Sequence, residues 1–315
     1  MNIGLHRFTL LVTSATFILI LAGALVTSNA AGLAAPDWPL SYGQFFPKMV
    51  GGLFYEHGHR LIASTVGLLV IVLNFYLWRR EARRWVRRLG LVALGVVIAQ
   101  GLLGGLTVIL MLPLAVSTAH ACLAQLFFCI MVSLSLFTAP SWHMRREMVT
   151  KTDEWTIPLW ASAAVVAIFL QLVLGATLRH SAAWDQHLPT ELLIAHITGA
   201  LVVTLVLGSV LVKILRQHPA VRPLARPARL AAVLLVLQLF LGVAAYVTRR
   251  GSPEDPQPLN PMVSVTVAHV ACGALVLAVT LVLTLRAFQL LTGFQPLVAI
   301  RQSSKVRGRT LEVIN

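Results

Sequence analysis

The sequence is dominated by apolar runs that are each long enough to cross a lipid bilayer. A membrane-spanning helix needs about 20 mostly apolar residues. Since 57% of the 315 residues are hydrophobic and only 11% are charged, a soluble fold could not bury this much apolar surface. We therefore predict an all-α, polytopic membrane protein with eight transmembrane helices, at about 7–27, 53–78, 89–111, 114–138, 156–177, 190–215, 229–248 and 262–286.

The net charge of +14 comes from basic residues that lie mostly in alternate loops. Cytoplasmic loops carry an excess of Lys and Arg, so both termini are predicted to lie on the cytoplasmic side of the cell (inner) membrane. Membrane topology explains a positive charge that is distributed in this way, so the charge does not indicate binding to nucleic acid. The basic residues of these loops and of the tail are Arg79, Arg80, Arg83, Arg84, Arg87 and Arg88, then Arg145, Arg146 and Lys151, then Lys213, Arg216, Arg222, Arg226 and Arg229, and finally Arg301, Lys305, Arg307 and Arg309.

The first apolar run also has features of a cleaved signal peptide. His6 and Arg7 precede it, and the small residues Ser28-Asn29-Ala30 follow it. However, the run is a full span long and the fifth span repeats its pattern. We therefore predict that it is a retained helix.

The last four spans repeat the pattern of the first four. A Gln-x-x-x-Gly motif begins at Gln100 in span three and at Gln238 in span seven. Each unit has an even number of spans, so the second unit would start on the same side of the membrane as the first. The two units are then expected to be related by a pseudo-twofold axis along the membrane normal. We predict four-helix units at 1–140 and 155–290, a cytoplasmic linker at 141–154 and a basic cytoplasmic tail at 291–315.

Each unit carries two histidines inside its apolar spans. All four lie six or seven residues past the start of an inward-running span, which is ~10 Å below the outer surface at about 1.5 Å per residue. A single intramembrane histidine is often a hydrogen-bonded core residue, but four at repeat-related positions indicate metal ligands. Two imidazoles without a ring of carboxylates or thiolates suit a haem better than tetrahedral zinc. The predicted iron ligands are His59, His120, His196 and His269.

Small residues on these spans would let a flat macrocycle approach the backbone. Ordinary small-residue packing between helices explains them equally well. They are Gly104, Gly105, Gly199 and Gly242.

One histidine of the first unit has an acid beside it. Glu56 lies three residues before His59, on the same helix face as Arg60, whereas Leu193 precedes His196 at the same spacing. An ionisable group at the edge of the hydrocarbon is a functional-site hypothesis by default, although an i,i+4 pair with Arg60 also explains the glutamate. We infer that the first unit carries out proton-coupled chemistry and that the second holds a permanent haem.

The outer loops contain the remaining polar side chains. Arginine pairs bidentately with carboxylates, so Arg60, Arg179, Arg249 and Arg250 are candidate contacts of haem propionates. His180 and His187 are predicted to be surface residues, and His57 points away from Glu56 with no assigned role.

Several motifs together resemble the haem A synthase family, across both units and nearly every span. They are Pro36-Asp37-Trp38-Pro39-Leu40-x-Tyr42-Gly43, Glu56-x-x-His59-Arg60, Gly104-Gly105-Leu106-Thr107-Val108, Leu174-Gly175-Ala176-Thr177-Leu178-Arg179-His180-Ser181, and the set His120, His196 and His269.

The resemblance implies an activity and a role for each of these residues. The family oxidises the C8 methyl group of haem O to a formyl group, which gives haem A for terminal oxidases. His59 and His120 would hold haem O, His196 and His269 would hold a haem b cofactor, and Glu56 would be the catalytic acid. Partners would be a haem O synthase that delivers the substrate and an electron donor or acceptor in the membrane; a homo-oligomer is left open.

The chain departs from the family in its first outer loop. Some members carry a cysteine pair there, and Ala34 and Ser41 occupy those positions here. Electron uptake by thiols of this loop is therefore excluded in this chain.

Two other functions use intramembrane histidines. A diheme b-type electron carrier has four histidine ligands, but it commonly holds its haems at two depths and needs no acid at one of them. A transporter with histidine proton relays would be expected to have broken helices and charges at the membrane midplane. The matched depths and Glu56 favour the enzyme.

Overall fold

A computed structural model of the protein describes residues 2–143, 155–181, 189–250 and 260–292. The regular structure within these ranges is helical, apart from one isolated bridge between Ser41 and Gln44. The helices are α1 (Ile3–Ser28), α2 (Gly52–Arg80), α3 (Arg84–Ile109), α4 (Leu114–Thr138), α5 (Pro140–His143), α6 (Thr156–Ser181), α7 (Thr190–Gln217), α8 (Arg222–Arg250) and α9 (Asn260–Leu291).

Eight of these helices, all except α5, are long and apolar enough to span a membrane. The predicted polytopic all-α fold is therefore confirmed. Several helices extend beyond the predicted spans, since α8 begins at Arg222 rather than 229 and α9 ends at Leu291 rather than 286. The apolar run marks only the hydrocarbon-facing part of a helix, and the helix can continue beyond it into the polar interface.

The helices of each predicted unit contact one another in the same order. In the first unit α1 contacts α2 and α4, and α3 contacts α2 and α4; in the second, α6 contacts α7 and α9, and α8 contacts α7 and α9. Each unit has its own buried apolar cluster, around Leu73 and Met131 in the first and around Leu207 and Leu277 in the second. The pseudo-twofold axis and the unit boundaries stay predictions. The predicted tail beyond 292 and linker residues 144–154 lie outside the described residues.

The two units meet where α1 and α4 pack on α6 and α9. Phe128 of α4 stacks on Phe17 of α1 with ring centroids 5.7 Å apart, and this pair packs with Ala274 and Ala278 of α9. The small alanine side chains let α9 approach the aromatic pair closely. The interface between the units is therefore apolar through its middle.

A buried arginine adds a polar contact between the second unit and the segment that follows the first, at the cytoplasmic end predicted from the sequence. Arg286 of α9 is 6% exposed. It donates to the carbonyl oxygen of Ser141 at 3.2 Å and to its hydroxyl at 2.7 Å, and its guanidinium lies 5.1 Å from the ring centroid of Trp142. Helix α5, which follows the first unit, is thereby bound to the last helix of the second.

Replacing Arg286 by alanine should destabilise the protein, because these bonds are lost and a cavity is left against Trp142. Hydrogen bonds to a charged group contribute about 1.5–3 kcal/mol each in proteins, so we expect a lower midpoint of thermal unfolding in detergent. Arg216→Ala, at an exposed arginine in the last turn of α7, is the control and should unfold like the wild type. Equal midpoints for Arg286→Ala and wild type would contradict this interpretation.

Candidate functional site

All four predicted ligand histidines lie at one end of the bundle, near the starts of α2, α4, α7 and α9. We call this the histidine end. His59, His120 and His196 lie seven, six and six residues after the first residue of their helices, as expected, whereas His269 lies nine residues in because α9 begins early. The four imidazoles therefore lie at similar levels of the bundle.

A glycine on the preceding helix faces every one of these imidazoles. A Cβ atom built on the glycine would lie 2.9–3.1 Å from the histidine Cε1 atom in all four cases. Any larger residue would displace the ring. The pairs are Gly23 with His59, Gly104 with His120, Gly175 with His196, and Gly242 with His269.

These contacts change the interpretation of the small residues. Gly104 and Gly242, predicted to admit a macrocycle or to serve plain helix packing, instead make room for imidazole rings. Gly105 lies under the ring of Trp38, where a Cβ atom would come within 2.7 Å of the indole, and Gly199 lies against the amide of Gln171.

A glutamine one turn before the glycine contacts the imidazole in three of the four cases. The Nε2 atom of Gln171 lies 3.0 Å from Nδ1 of His196. The Nε2 atoms of Gln100 and Gln238 lie 3.5 and 3.3 Å from Nε2 of His120 and His269. Gln171 is not among the residues predicted from the sequence, although Gln171-x-x-x-Gly175 has the same spacing as the motifs that begin at Gln100 and Gln238.

The histidines of the second unit are arranged as a pair of axial ligands would be. The ring centroids of His196 and His269 are 6.4 Å apart, and the ring planes are inclined by 72°. An iron held between two imidazole nitrogens at about 2 Å each requires centroids roughly 6 Å apart. The residues therefore fit a bis-imidazole haem.

The histidines of the first unit are also close enough to interact electrostatically. Nδ1 of His59, His120 and His269 is buried without a hydrogen-bond partner among the described residues. Within those residues no group of three or more His, Cys, Asp and Glu side chains could hold a metal ion. Paired imidazoles with unused nitrogens, and no tetrahedral set, fit haem rather than zinc.

Glu56 lies at the start of α2 and is 4% exposed. Its carboxylate accepts a hydrogen bond from the backbone N–H of Ala35 at 2.8 Å and forms an ion pair with Arg60. The i,i+4 pair expected from the sequence is present. Both partners are donors, so the carboxylate is held in one orientation at the entrance to the first unit.

Arg60 binds the first outer loop as well as Glu56. Its guanidinium donates to the carbonyl oxygens of Asp37 at 2.8 Å and Leu40 at 2.6 Å. One side chain thus positions both the acid and the loop that lies beside it. A propionate contact by Arg60 stays a prediction and would have to share these donors.

His57 holds the same loop from the other side of α2. It is 4% exposed, with Nδ1 2.9 Å from the Ser41 hydroxyl and Nε2 3.1 Å from the carbonyl oxygen of Phe45. Ser41, at one of the positions where some family members carry cysteine, is fully buried. A histidine with no role assigned from the sequence therefore positions the loop.

The loop itself is closed by an aspartate. Asp37 accepts hydrogen bonds from the backbone N–H groups of Gly43 at 2.8 Å and Tyr42 at 2.7 Å. These bonds, that from Gly43 first, hold the pKa of Asp37 below its ordinary value. Their contribution to stability is present above the ordinary pKa and is lost as the pH falls through the lowered one.

The other arginine candidates lie near the boundary between the units. Arg179 of α6 donates to the carbonyl oxygen of Ala24 at 2.7 Å and to the Ser28 hydroxyl at 2.6 Å, both on α1. Arg249 is partly buried and lies near Arg179. The side chain of Arg250 lies outside the described part of the chain, as does His187.

His180 differs from its prediction as a surface residue. It is partly buried and close enough to His120 to interact electrostatically. The polar sequence around it predicted a loop, but α6 continues through His180 to Ser181. The longer helix brings this side chain in beside the first unit.

The chain is similar to cytochrome oxidase assembly proteins and to proteins named heme A synthase. The COX15-CtaA family, described as cytochrome oxidase assembly protein, matches residues 49–187. A heme A synthase of Shouchella clausii is 27% identical over 270 residues, which are 79% of this chain and 88% of the relative.

Two relatives that align over a smaller part of the chain are also named heme A synthase. A heme A synthase of Bacillus licheniformis is 25% identical over 58% of this chain and 60% of its own length. One of Caulobacter vibrioides is 33% identical over 42% of this chain and 40% of its own length.

Proposed function

We propose that this chain is a member of the COX15-CtaA family of cytochrome oxidase assembly proteins, which matches residues 49–187, and that it is a membrane-embedded haem A synthase that oxidises the C8 methyl group of haem O to a formyl group. The observation that carries the proposal is the pairing of Glu56 with the ligand His59 in the first unit, where the second unit has Leu193 beside His196. The first unit thus has an acid three residues before its proposed ligand, and the second has an apolar residue at the corresponding position.

The first unit would bind the substrate haem O through His59 and His120. This is supported by two buried imidazoles, each with a glycine opposite its ring, next to a loop that three side chains of α2 hold in place. The ring of Trp38 from that loop packs on Gly105, adjacent to the glycine that faces His120. The loop therefore covers α3 beside the substrate ligand and helps to keep water from the pocket.

The second unit would bind haem b through His196 and His269. The spacing of their rings supports a bis-imidazole site. When bound, haem b supplies one-electron transfer. Leu193 leaves this pocket apolar where Glu56 stands in the first unit, which suits a group that passes electrons without moving protons.

The reaction releases protons that a base must accept. Written as a half-reaction with water as the oxygen source, the methyl group and one water give the formyl group, four protons and four electrons, through an alcohol. The ion pair with Arg60 and the N–H of Ala35 orient the Glu56 carboxylate. Positioned carboxylates of this kind accept and return protons in catalysis. We assign that role to Glu56.

The remaining partners would be met in or at the membrane. Basic loops at the other end from the histidines support cytoplasmic termini and haem sites towards the outer side. Haem O would arrive from a haem O synthase, and electrons would pass to or from a membrane partner. Arg60, Arg179 and Arg249 are proposed propionate contacts on the basis of their charge and location at the histidine end.

Haem analysis of the purified protein tests the proposal. The protein is isolated from a host that makes haem O, its haems are extracted in acid, and they are separated by chromatography with mass detection. Haem B together with haem O, the alcohol or haem A is expected. Haem B alone, at two per chain, would instead indicate a diheme electron carrier.

A further inference from the structure

The first outer loop exposes a short apolar segment just before α2. Phe45 and Phe46 are 75% and 84% exposed, and Val50, a few residues further on, is also exposed. The charged residue within this segment is Lys48, whose side chain is exposed as well. We call residues 45–50 the loop tip. Neighbouring exposed aromatic side chains commonly mark a surface that contacts a membrane or another protein.

Hydrogen bonds hold the backbone of the loop tip and of the turn before it. The carbonyl oxygen of Phe45 lies 3.1 Å from Nε2 of His57 on α2. Asp37 closes the preceding turn by accepting from the backbone N–H groups of Tyr42 and Gly43. The two phenylalanine rings are therefore presented by a backbone that is fixed at several points.

The loop tip lies beside the first turns of α2 and not beyond its end. A Cβ atom on Gly58 would lie 3.9 Å from the terminal methyl carbon of Met49. Gly58 stands six residues after Gly52, the first residue of α2, which is ~9 Å along the axis at about 1.5 Å per residue. The chain therefore turns back along the outside of α2 before the helix begins.

The side of α2 that contacts Met49 is an exposed apolar stripe. Phe54, Leu61 and Leu68 are 57%, 39% and 63% exposed, and their spacing of seven residues places them on one side of the helix. Gly58 lies on that side, between Phe54 and Leu61. In a helix long and apolar enough to span a membrane, such a stripe is suited to contact with lipid. The loop tip continues this surface.

The depth of the contact corresponds to the membrane interface. Helix α2 has 29 residues, so it is ~43 Å long at about 1.5 Å per residue. A bilayer is ~40–45 Å thick with its headgroups, around a hydrocarbon core of ~30 Å. A point ~9 Å from the end of such a helix is thus close to the boundary between headgroups and hydrocarbon. Aromatic rings insert at this level, and a lysine side chain extends from it towards the phosphates.

We propose that the loop tip is a membrane anchor, in which Phe45, Phe46 and Val50 insert into the lipid at the histidine end and Lys48 contacts lipid phosphates. Lipid is favoured over a protein partner by the depth of the segment and by its continuity with the exposed stripe of α2. A basic residue among the apolar ones matches the anionic groups found at that depth.

The anchor would act on the first unit through the rest of the same loop. The backbone N–H of Ala35 donates to the Glu56 carboxylate at 2.8 Å, and the ring of Trp38 lies on Gly105. A loop that is fixed both to α2 and to the lipid keeps these contacts in place. This inference goes beyond the proposed function, because it concerns the attachment of the loop and requires no haem.

Photocrosslinking identifies what the loop tip contacts. The photoreactive residue p-benzoylphenylalanine replaces Phe46, the membranes of the expressing cells are irradiated, and the intact mass of the purified protein is measured. The mass should increase by that of a phospholipid, as it should when Leu68 is replaced in the same way. Phe17 packs inside the bundle against Phe128, so the same replacement there is the control and should add no lipid.

Two results of this experiment would overturn the proposal. One is a lipid adduct at position 68 without one at position 46. The other is a product at position 46 that contains a second copy of the chain or another protein in place of lipid. Either result would show that the loop tip is not inserted in the membrane.

Hydrogen exchange tests whether the anchor holds the loop. In phospholipid nanodiscs, the backbone amides of Tyr42 and Gly43 should exchange several-fold faster in the double variant Phe45→Ser, Phe46→Ser than in the wild type. Phe75→Ser removes a ring that is 56% exposed near the other end of α2, and it should leave exchange in the loop unchanged. Equal exchange in the double variant and the wild type would overturn the anchoring role. Neither experiment measures haem, so failure here would leave the haem extraction, and the proposed function, unaffected.

Discussion

Replacing Glu56 by glutamine is expected to leave both haems bound while turnover falls by about 10²–10⁴-fold, with haem O or its alcohol accumulating. Removal of a positioned general base typically has an effect of this size. The amide oxygen can still accept from the N–H of Ala35, so the pocket keeps its shape but cannot take up a proton. Haem extraction after expression with haem O measures the result.

A second glutamate provides the control for this substitution. Glu81 follows α2 at its other end and also forms an ion pair, with Arg83, at 2.8 Å. Glu81→Gln should therefore make haem A at the wild-type rate. If Glu56→Gln did the same, the assignment of the proton-transfer role to Glu56 would be wrong.

Replacing His196 by alanine should remove the haem b while haem O remains in the first unit. Alanine would remove one of the two proposed haem b ligands and leave a cavity against Gly175, which the ring now faces. Haem B in the extract should fall to background, and turnover should stop because electrons have no route from the substrate. Haem analysis and the spectrum of the reduced protein measure this outcome.

His6 provides a comparison at the opposite end of the bundle. It is partly buried and lies 3.4 Å from the Thr138 hydroxyl, so His6→Ala should keep its haem B. Retention of a bis-imidazole haem in His196→Ala would place the cofactor elsewhere and contradict the ligand assignment.

The fold and the four histidines were accessible from sequence for the same physical reason. Apolar runs of spanning length indicate membrane helices. An ionisable residue inside such a run costs free energy and therefore indicates a functional site. His59, His120, His196 and His269 stand out because their surroundings are apolar and their spacing repeats. Their glycine partners on the preceding helices were not recognised, because small residues on a membrane helix fit any close packing equally well.

The first outer loop could not be predicted in this way. Contacts of His57 with Ser41 and Phe45, and of Arg60 with Asp37 and Leu40, depend on the path of an irregular backbone. No periodicity encodes that path. Helix geometry placed His57 away from Glu56, but it could not reveal that the loop wraps round to bind it.

Gln171 carries a sequence signal that is visible only when all the helices are compared. It stands four residues before Gly175, as Gln100 stands before Gly104 and Gln238 before Gly242. A neutral amide in an apolar span draws less attention than a charge, although it is also expensive to bury without a partner. The helix before His59 is the exception, with Leu19 four residues before Gly23.

The bonds from Arg179 to α1 connect the surroundings of two of the predicted ligand histidines. They end on Ala24 and Ser28, and the neighbour of Ala24, Gly23, forms the wall against which the His59 ring rests. On the same helix as Arg179, Gly175 forms the wall against His196. Arg179 therefore fastens the helix that contacts His196 to the segment of α1 that contacts His59, so the walls behind one histidine of each unit are joined by hydrogen bonds.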